Sequence, residues 1–104
     1  PEKARVAAAE SFLSAGEMPQ AMRCFSLCSD ESKSNICRIY ITQGENLLQN
    51  FEIESAYKCF NGAKNNCSDD ALADLLQKIN SAWESGGSGQ WKRANTRLQP
   101  NAIQ

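Results

Sequence analysis

The sequence predicts an all-α fold: two helical hairpins followed by a C-terminal capping helix. Apolar residues ahead of position 85 recur at i, i+3, i+4 and i+7, and no useful stretch shows the period-two alternation of a strand. The inner-face residues also recur after 35 positions, so the chain solves one packing problem twice. At 104 residues, with 41% apolar, 22% charged and 8% aromatic side chains, the chain has the size of one domain and the composition of a protein that buries a core.

The first helix is expected from about Glu2 to Ala15. It is rich in alanine, presents Val6, Ala9, Phe12 and Leu13 inward, and stops before Gly16. The second runs from about Pro19 to Cys28, because proline fits a first turn where its missing N–H has no intrahelical partner; Ala21, Met22, Phe25 and Cys28 form its inner stripe. The third extends from about Lys33 to Gln49 with Ile36, Tyr40, Gly44, Leu47 and Leu48 inward, and the fourth from about Glu52 to Lys64 with Ile53, Ala56, Tyr57, Phe60 and Ala63. Ser68 suits the N-cap of the fifth helix, Asp69 and Asp70 suit the positive end of its dipole, and Leu72, Leu75, Leu76, Ile79 and Trp83 share one face.

Displaced by 35 residues, Phe12 falls on Leu47, Met18 on Ile53, Ala21 on Ala56, Cys24 on Cys59, Phe25 on Phe60 and Cys28 on Ala63, while Ala9 falls on Gly44. Through these residues the chain resembles the tetratricopeptide repeat family over about residues 2–70. The first unit supplies Ala9, Phe12, Gly16, Met18, Ala21, Phe25 and Cys28; the second supplies Gly44, Leu47, Phe51, Ile53, Ala56, Phe60 and Ala63. It departs from the family pattern at Arg5, where a large aromatic is common, and at Phe51, where a turn glycine is usual. No proline closes either unit.

The resemblance implies a short right-handed solenoid whose first helices line a concave groove for a linear peptide. Carried over position by position, the groove residues are Lys3, Val6, Glu10 and Leu13 in one unit and Arg38, Ile41, Glu45 and Leu48 in the other. Each set offers two aliphatics beside a carboxylate, a surface for a peptide with apolar anchors and basic neighbours. The same aliphatics could equally face a neighbouring helix. The family's clamp for acidic C-termini does not fit, since it needs basic and asparagine side chains where Glu10 and Glu45 stand.

Residues 1–84 form the expected helical module. Ser85-Gly86-Gly87-Ser88-Gly89 follows as a flexible linker with the composition of a designed one, and residues 90–104 form a basic, apolar peptide. The module carries eight basic and all twelve acidic side chains, a net of −4, while residues 85–104 carry Lys92, Arg93 and Arg97 and no acid, a net of +3. Trp91, Ala94 and Leu98 fall on one helical face, with Lys92, Arg93 and Arg97 beside it. The tail is therefore a candidate tethered ligand, held at high effective concentration in cis or entering a second copy as an exchanged dimer. A passive tail, and a basic arm for nucleic acid, are the alternatives, and three cations are few for phosphate contacts.

The chain lacks histidine, which excludes imidazole bases, histidine nucleophile pairs and histidine metal ligands. No nucleophile or phosphate-loop motif is present, so neither enzyme activity nor a cofactor is expected. Cys24, Cys28, Cys37, Cys59 and Cys67 are odd in number and lack C-x-x-C spacing, which points to packing thiols, no metal and a reducing intracellular compartment, cytoplasmic or nuclear. No apolar run reaches the ~20 residues of a membrane span, and Pro1-Glu2-Lys3-Ala4-Arg5 is unlike a signal peptide, so the chain reads as a soluble part of something longer. The function expected is a protein-interaction adaptor that binds a linear motif; the alternative is a structural piece of a longer helical scaffold.

Overall fold

The computed structural model describes residues 1–85. Its helices are α1 (Glu2–Ser14), α2 (Met18–Ser26), α3 (Lys33–Gln49), α4 (Ile53–Ala63) and α5 (Asp69–Ser85), with one 3₁₀ turn at Asp30–Ser32 and no strand among the described residues. Local chemistry sets the boundaries. Pro19 lies in the first turn of α2, and the Ser68 hydroxyl accepts the Ala71 N–H at 3.3 Å at the start of α5. At the other end of α5 the Ser85 hydroxyl donates to the Ser81 carbonyl at 2.8 Å, which places Ser85 in the helix instead of the linker.

Each three-residue turn folds a helix back on its predecessor, pairing α1 with α2 and α3 with α4. The hairpins meet through α1 and α3, and α5 lies against both α3 and α4. Small residues allow the close approach. Ala9, Ala21 and Ala56 are fully buried, and a Cβ added to Gly44 would lie 3.3 Å from the Leu75 methyls. One apolar cluster joins α1, α2 and α3 through Leu13, Phe25, Ile36 and Tyr40; another joins α4 and α5 through Ile53, Phe60, Leu75, Ile79 and Trp83. Each aliphatic side chain fully withdrawn from water contributes about 1.5–3 kcal/mol, so these clusters hold the helices together.

Polar contacts lock the start of α1 to the connection after α2. The Glu2 carboxylate accepts the Ser29 N–H at 3.1 Å, the Ser29 hydroxyl at 2.7 Å and the Ser32 hydroxyl, and these bonds hold its pKa below the usual value. Arg5 donates to the Leu27 carbonyl at 3.3 Å.

Two inner-face expectations and one about the cysteines change. Met22 is 45% exposed, because Ala21 and Phe25 set the inward direction of α2 and Met22 points away from it. Ile39 joins the core, because α3 is covered by α1 on one side as well as by α4 on the other. Cys37 and Cys67 form a disulfide that ties α3 to the α4–α5 connection, leaving Cys24, Cys28 and Cys59 as thiols. Five free thiols were the ground for a reducing compartment, and the disulfide removes that ground.

Candidate functional site

α3 and α5 run side by side and leave an open cleft of about 670 Å³ between their outward faces. From α3 come Glu45, Leu48 and Gln49; from α5 come Asp74, Gln77, Lys78 and Ser81. The helical repeat puts Asp74, Lys78 and Ser81 on successive turns of one face of α5, with Gln77 beside them. Leu48 is half-buried at the edge of the α4–α5 core and supplies the apolar part of the cleft.

One ammonium group organises the polar part. Lys78 Nζ lies 2.5 Å from Glu45 Oε2 on α3 and 3.2 Å from Asp74 Oδ2 one turn earlier on α5. The two carboxylates hold the Lys78 pKa above the ordinary lysine value. Two acids from different helices thus converge on a single cation in a solvent-open cleft, where solvent screening leaves each pair little net weight in stability. Such a bridge is cheap to open. The arrangement is suited to binding a cationic group beside an apolar contact.

The expected groove residues divide among several surfaces. Glu45 and Leu48 line the α3–α5 cleft. Ile41 is half-buried against the same core, and exposed Arg38 is turned onto its own helix, its Nε and Nη2 donating to Asn35 Oδ1 at 3.2 and 2.6 Å. On α1, Val6 is 7% exposed and Leu13 3% exposed, both inside the first core cluster. Their burial leaves only their edges exposed, Val6 in a hollow with Lys3 and Asn35 and Leu13 in one with Gln43 and Leu47. Lys3 and Glu10 remain exposed but line two separate shallow hollows, one with Glu31 and Asn35, the other with Ala7 and Ser11. Of the expected residues, Lys3 and Val6 thus share one hollow, Glu10 lines another, and Glu45 and Leu48 share the α3–α5 cleft. Trp91, Lys92, Arg93, Arg97 and Leu98 lie outside the described residues.

Asp74, Gln77, Lys78 and Ser81 were absent from the expected site, although a signal for them exists. α3 and α5 are both 17 residues long and begin 36 positions apart, so a second displacement of the sequence would have placed Asp74 on Arg38 and Gln77 on Ile41.

The chain matches no protein-family model, and comparison with characterised proteins and with solved structures gives no match. No helix among the described residues is long and apolar enough to cross a membrane.

Proposed function

We propose that this chain is a protein-interaction module of the tetratricopeptide-like solenoid type, and that the α3–α5 cleft takes a short segment of a partner protein. The segment presents one apolar side chain to Leu48 and one basic side chain to Glu45 and Asp74. The observation that carries this reading is the convergence of those two carboxylates, from separate helices, on one exchangeable cation. A partner's guanidinium would offer a planar fork for the two acids where Lys78 offers a point charge. The cleft's openness and mixed character suit a modest, reversible affinity governed by a few anchor residues.

The test is a titration of the isotopically labelled full chain with a synthetic amphipathic peptide carrying leucine and arginine on one helical face. Saturable amide shifts at Glu45, Leu48, Asp74 and Lys78 are expected. They should weaken about tenfold when arginine is replaced by glutamine in the peptide, the loss of a charge-assisted contact worth roughly 1.5 kcal/mol. Shifts spread elsewhere, or indifference to the arginine, would leave a structural scaffold as the better reading.

A further inference from the structure

α1 is paired with α2 and α3 with α4, yet α5, as long as α3, has no antiparallel partner of its own among the described residues. Its sequence is that of another first helix. Displaced by 36 positions, the first residue of α3 falls on the first residue of α5, and Ile36 falls on Leu72, Ile39 on Leu75 and Leu47 on Trp83. The residues that α3 turns toward the second helix of its hairpin and the connection after it are Cys37, bonded to Cys67, Tyr40, packed on Gly62, and Gly44, which faces Cys59. Their counterparts on α5 are Ala73, which is exposed, and Leu76 and Asn80, which are half-buried. Leu76 sits at the edge of the α4–α5 core, as does Tyr57 of α4. The side of α5 that a hairpin partner would cover is thus apolar at its centre and open.

The remaining chain carries the sequence of such a partner. The second helix of each hairpin has an apolar residue at its start, alanine three positions on and an aromatic four positions further: Met18, Ala21 and Phe25, then Ile53, Ala56 and Phe60. Trp91, Ala94 and Leu98 repeat this spacing. α2 has nine residues, and nine residues separate Trp91 from Gln99 inclusive before Pro100, which cannot continue a helix. Residues 86–90 are a connection of the length used in helical hairpins. Extended, they reach about 17 Å, more than the roughly 8–10 Å between packed helix axes. Charge agrees: Asp69, Asp70, Asp74 and Glu84 against Lys78 give α5 a net of −3, opposite to the +3 of the tail. At the position of Cys59, whose Cβ approaches Gly44, the tail has Arg97, facing the position held on α5 by Asn80, so a buried apolar contact is replaced by a polar pair at both partners together.

We infer that residues 91–99 dock in cis as the second helix of a third hairpin, with Ala94 and Leu98 against the Ala73–Leu76–Asn80 side of α5. The tail then completes the scaffold and leaves the α3–α5 cleft to a partner, so the inference stands apart from the cleft's proposed ligand. It is tested on the full chain by nuclear Overhauser contacts and amide hydrogen exchange. Contacts from the Ala94 methyl to Leu76 and Asn80 are expected, together with exchange in residues 94–99 slowed at least about tenfold relative to an unstructured peptide. Ala94→Asp should abolish the protection while leaving the signals of α1–α4 in place, and it should leave the peptide titration of the cleft unchanged. Contacts from Trp91 or Leu98 to Leu48 and Lys78 would overturn the inference by putting the tail in the cleft, as would unprotected amides. Sedimentation should give the mass of one chain; a mass of two would overturn docking in cis.

Discussion

Gly16 and Phe51 occupy the same left-handed turn, 35 residues apart, at φ 82° and φ 58°. Each donates its N–H to the carbonyl three residues back, Leu13 and Leu48, at 3.0 Å, and the next residue, Glu17 or Glu52, donates to Phe12 or Leu47 at 2.9 Å. One turn is therefore built from a residue that adopts the conformation freely and from one that does not. The left-handed region costs a residue with a Cβ about 1–2 kcal/mol. Gly16→Ala meets nothing within 4 Å, so only backbone strain opposes it, and a loss of about 1 kcal/mol is expected. Phe51 is 52% exposed and surrenders little packing, so Phe51→Gly is expected to leave stability unchanged or raise it by up to about 1 kcal/mol. The denaturant midpoint should fall for Gly16→Ala and hold or rise for Phe51→Gly, and a fall in both would show that the Phe51 ring is needed where it stands.

The two helical glycines inside the second hairpin should respond differently to alanine. A Cβ on Gly62 would sit 2.8 Å from Tyr40 Cε1 and 3.0 Å from Cζ, and that ring is buried with Phe25 5.1 Å away. Gly62→Ala is expected to cost about 1–3 kcal/mol by overpacking, despite the gain in helix propensity. A Cβ on Gly44 meets the methyl ends of Leu75 at 3.3 Å and Cys59 Cβ at an ordinary 3.7 Å, and the equivalent position in the first hairpin is already Ala9. Gly44→Ala should fall within about 0.5 kcal/mol of neutral, propensity offsetting a small shift of Leu75. Thermal unfolding of the pair measures the difference, about 4–8 °C per kcal/mol in a chain of this size.

Much of this architecture was legible because a helix covered on one face writes a period of 3.6 into the sequence. α3 runs over Lys33–Gln49, the span its pattern predicts, and α5 starts after Ser68 as its capping chemistry predicts. The candidate site was legible only at Glu45 and Leu48. Val6 and Leu13 have the same periodicity whether a neighbouring helix or a partner covers them, so the sequence could not separate the two, and the core shared by α1, α2 and α3 takes them in. The Cys37–Cys67 pairing joins a helix to a distant connection, and cysteine spacing carries no record of that proximity.

That disulfide closes the second hairpin across 30 residues of sequence. Constraint of the unfolded chain by a loop of this length contributes about 3–4 kcal/mol. Reduction, or Cys37→Ser, should lower the denaturant midpoint accordingly, whereas Cys24→Ser should not. Alkylation without reductant is expected to label Cys24 and Cys28 and to spare Cys37 and Cys67; equal labelling of all four would contradict the bond.

Stability should fall on the alkaline side. Burial, with a smaller contribution from Cys59, pushes the Tyr40 hydroxyl up to about 12, and burial pushes the Cys59 thiol up to about 11. Both stay protonated in the folded chain at pH values where the unfolded chain has already ionised them. The unfolded state then binds fewer protons, so stability is complete below about pH 9 and is lost as the pH climbs from there toward 12. Tyr40→Phe should flatten the decline above about pH 10, the ordinary tyrosine value. A decline unchanged by Tyr40→Phe and by Cys59→Ala would locate its cause elsewhere.

Lys78 decides how the α3–α5 cleft meets a cation. Its ammonium group occupies the point where Glu45 and Asp74 converge, so a basic side chain from a partner has to displace it. The bridge is exposed, and Lys78→Gln should therefore leave the denaturant midpoint nearly unchanged. It removes the competing cation and leaves two carboxylates in the cleft, so affinity for the leucine–arginine peptide should rise by about fivefold to tenfold, up to about 1.4 kcal/mol. Glu45→Gln should act in the opposite direction by a similar factor. Both effects should shrink as salt is raised from 0.05 to about 0.5 M, because the charges concerned are solvent-exposed. Weaker binding by Lys78→Gln would mean that the lysine itself contacts the partner, and the cleft would then be reassigned to acidic segments.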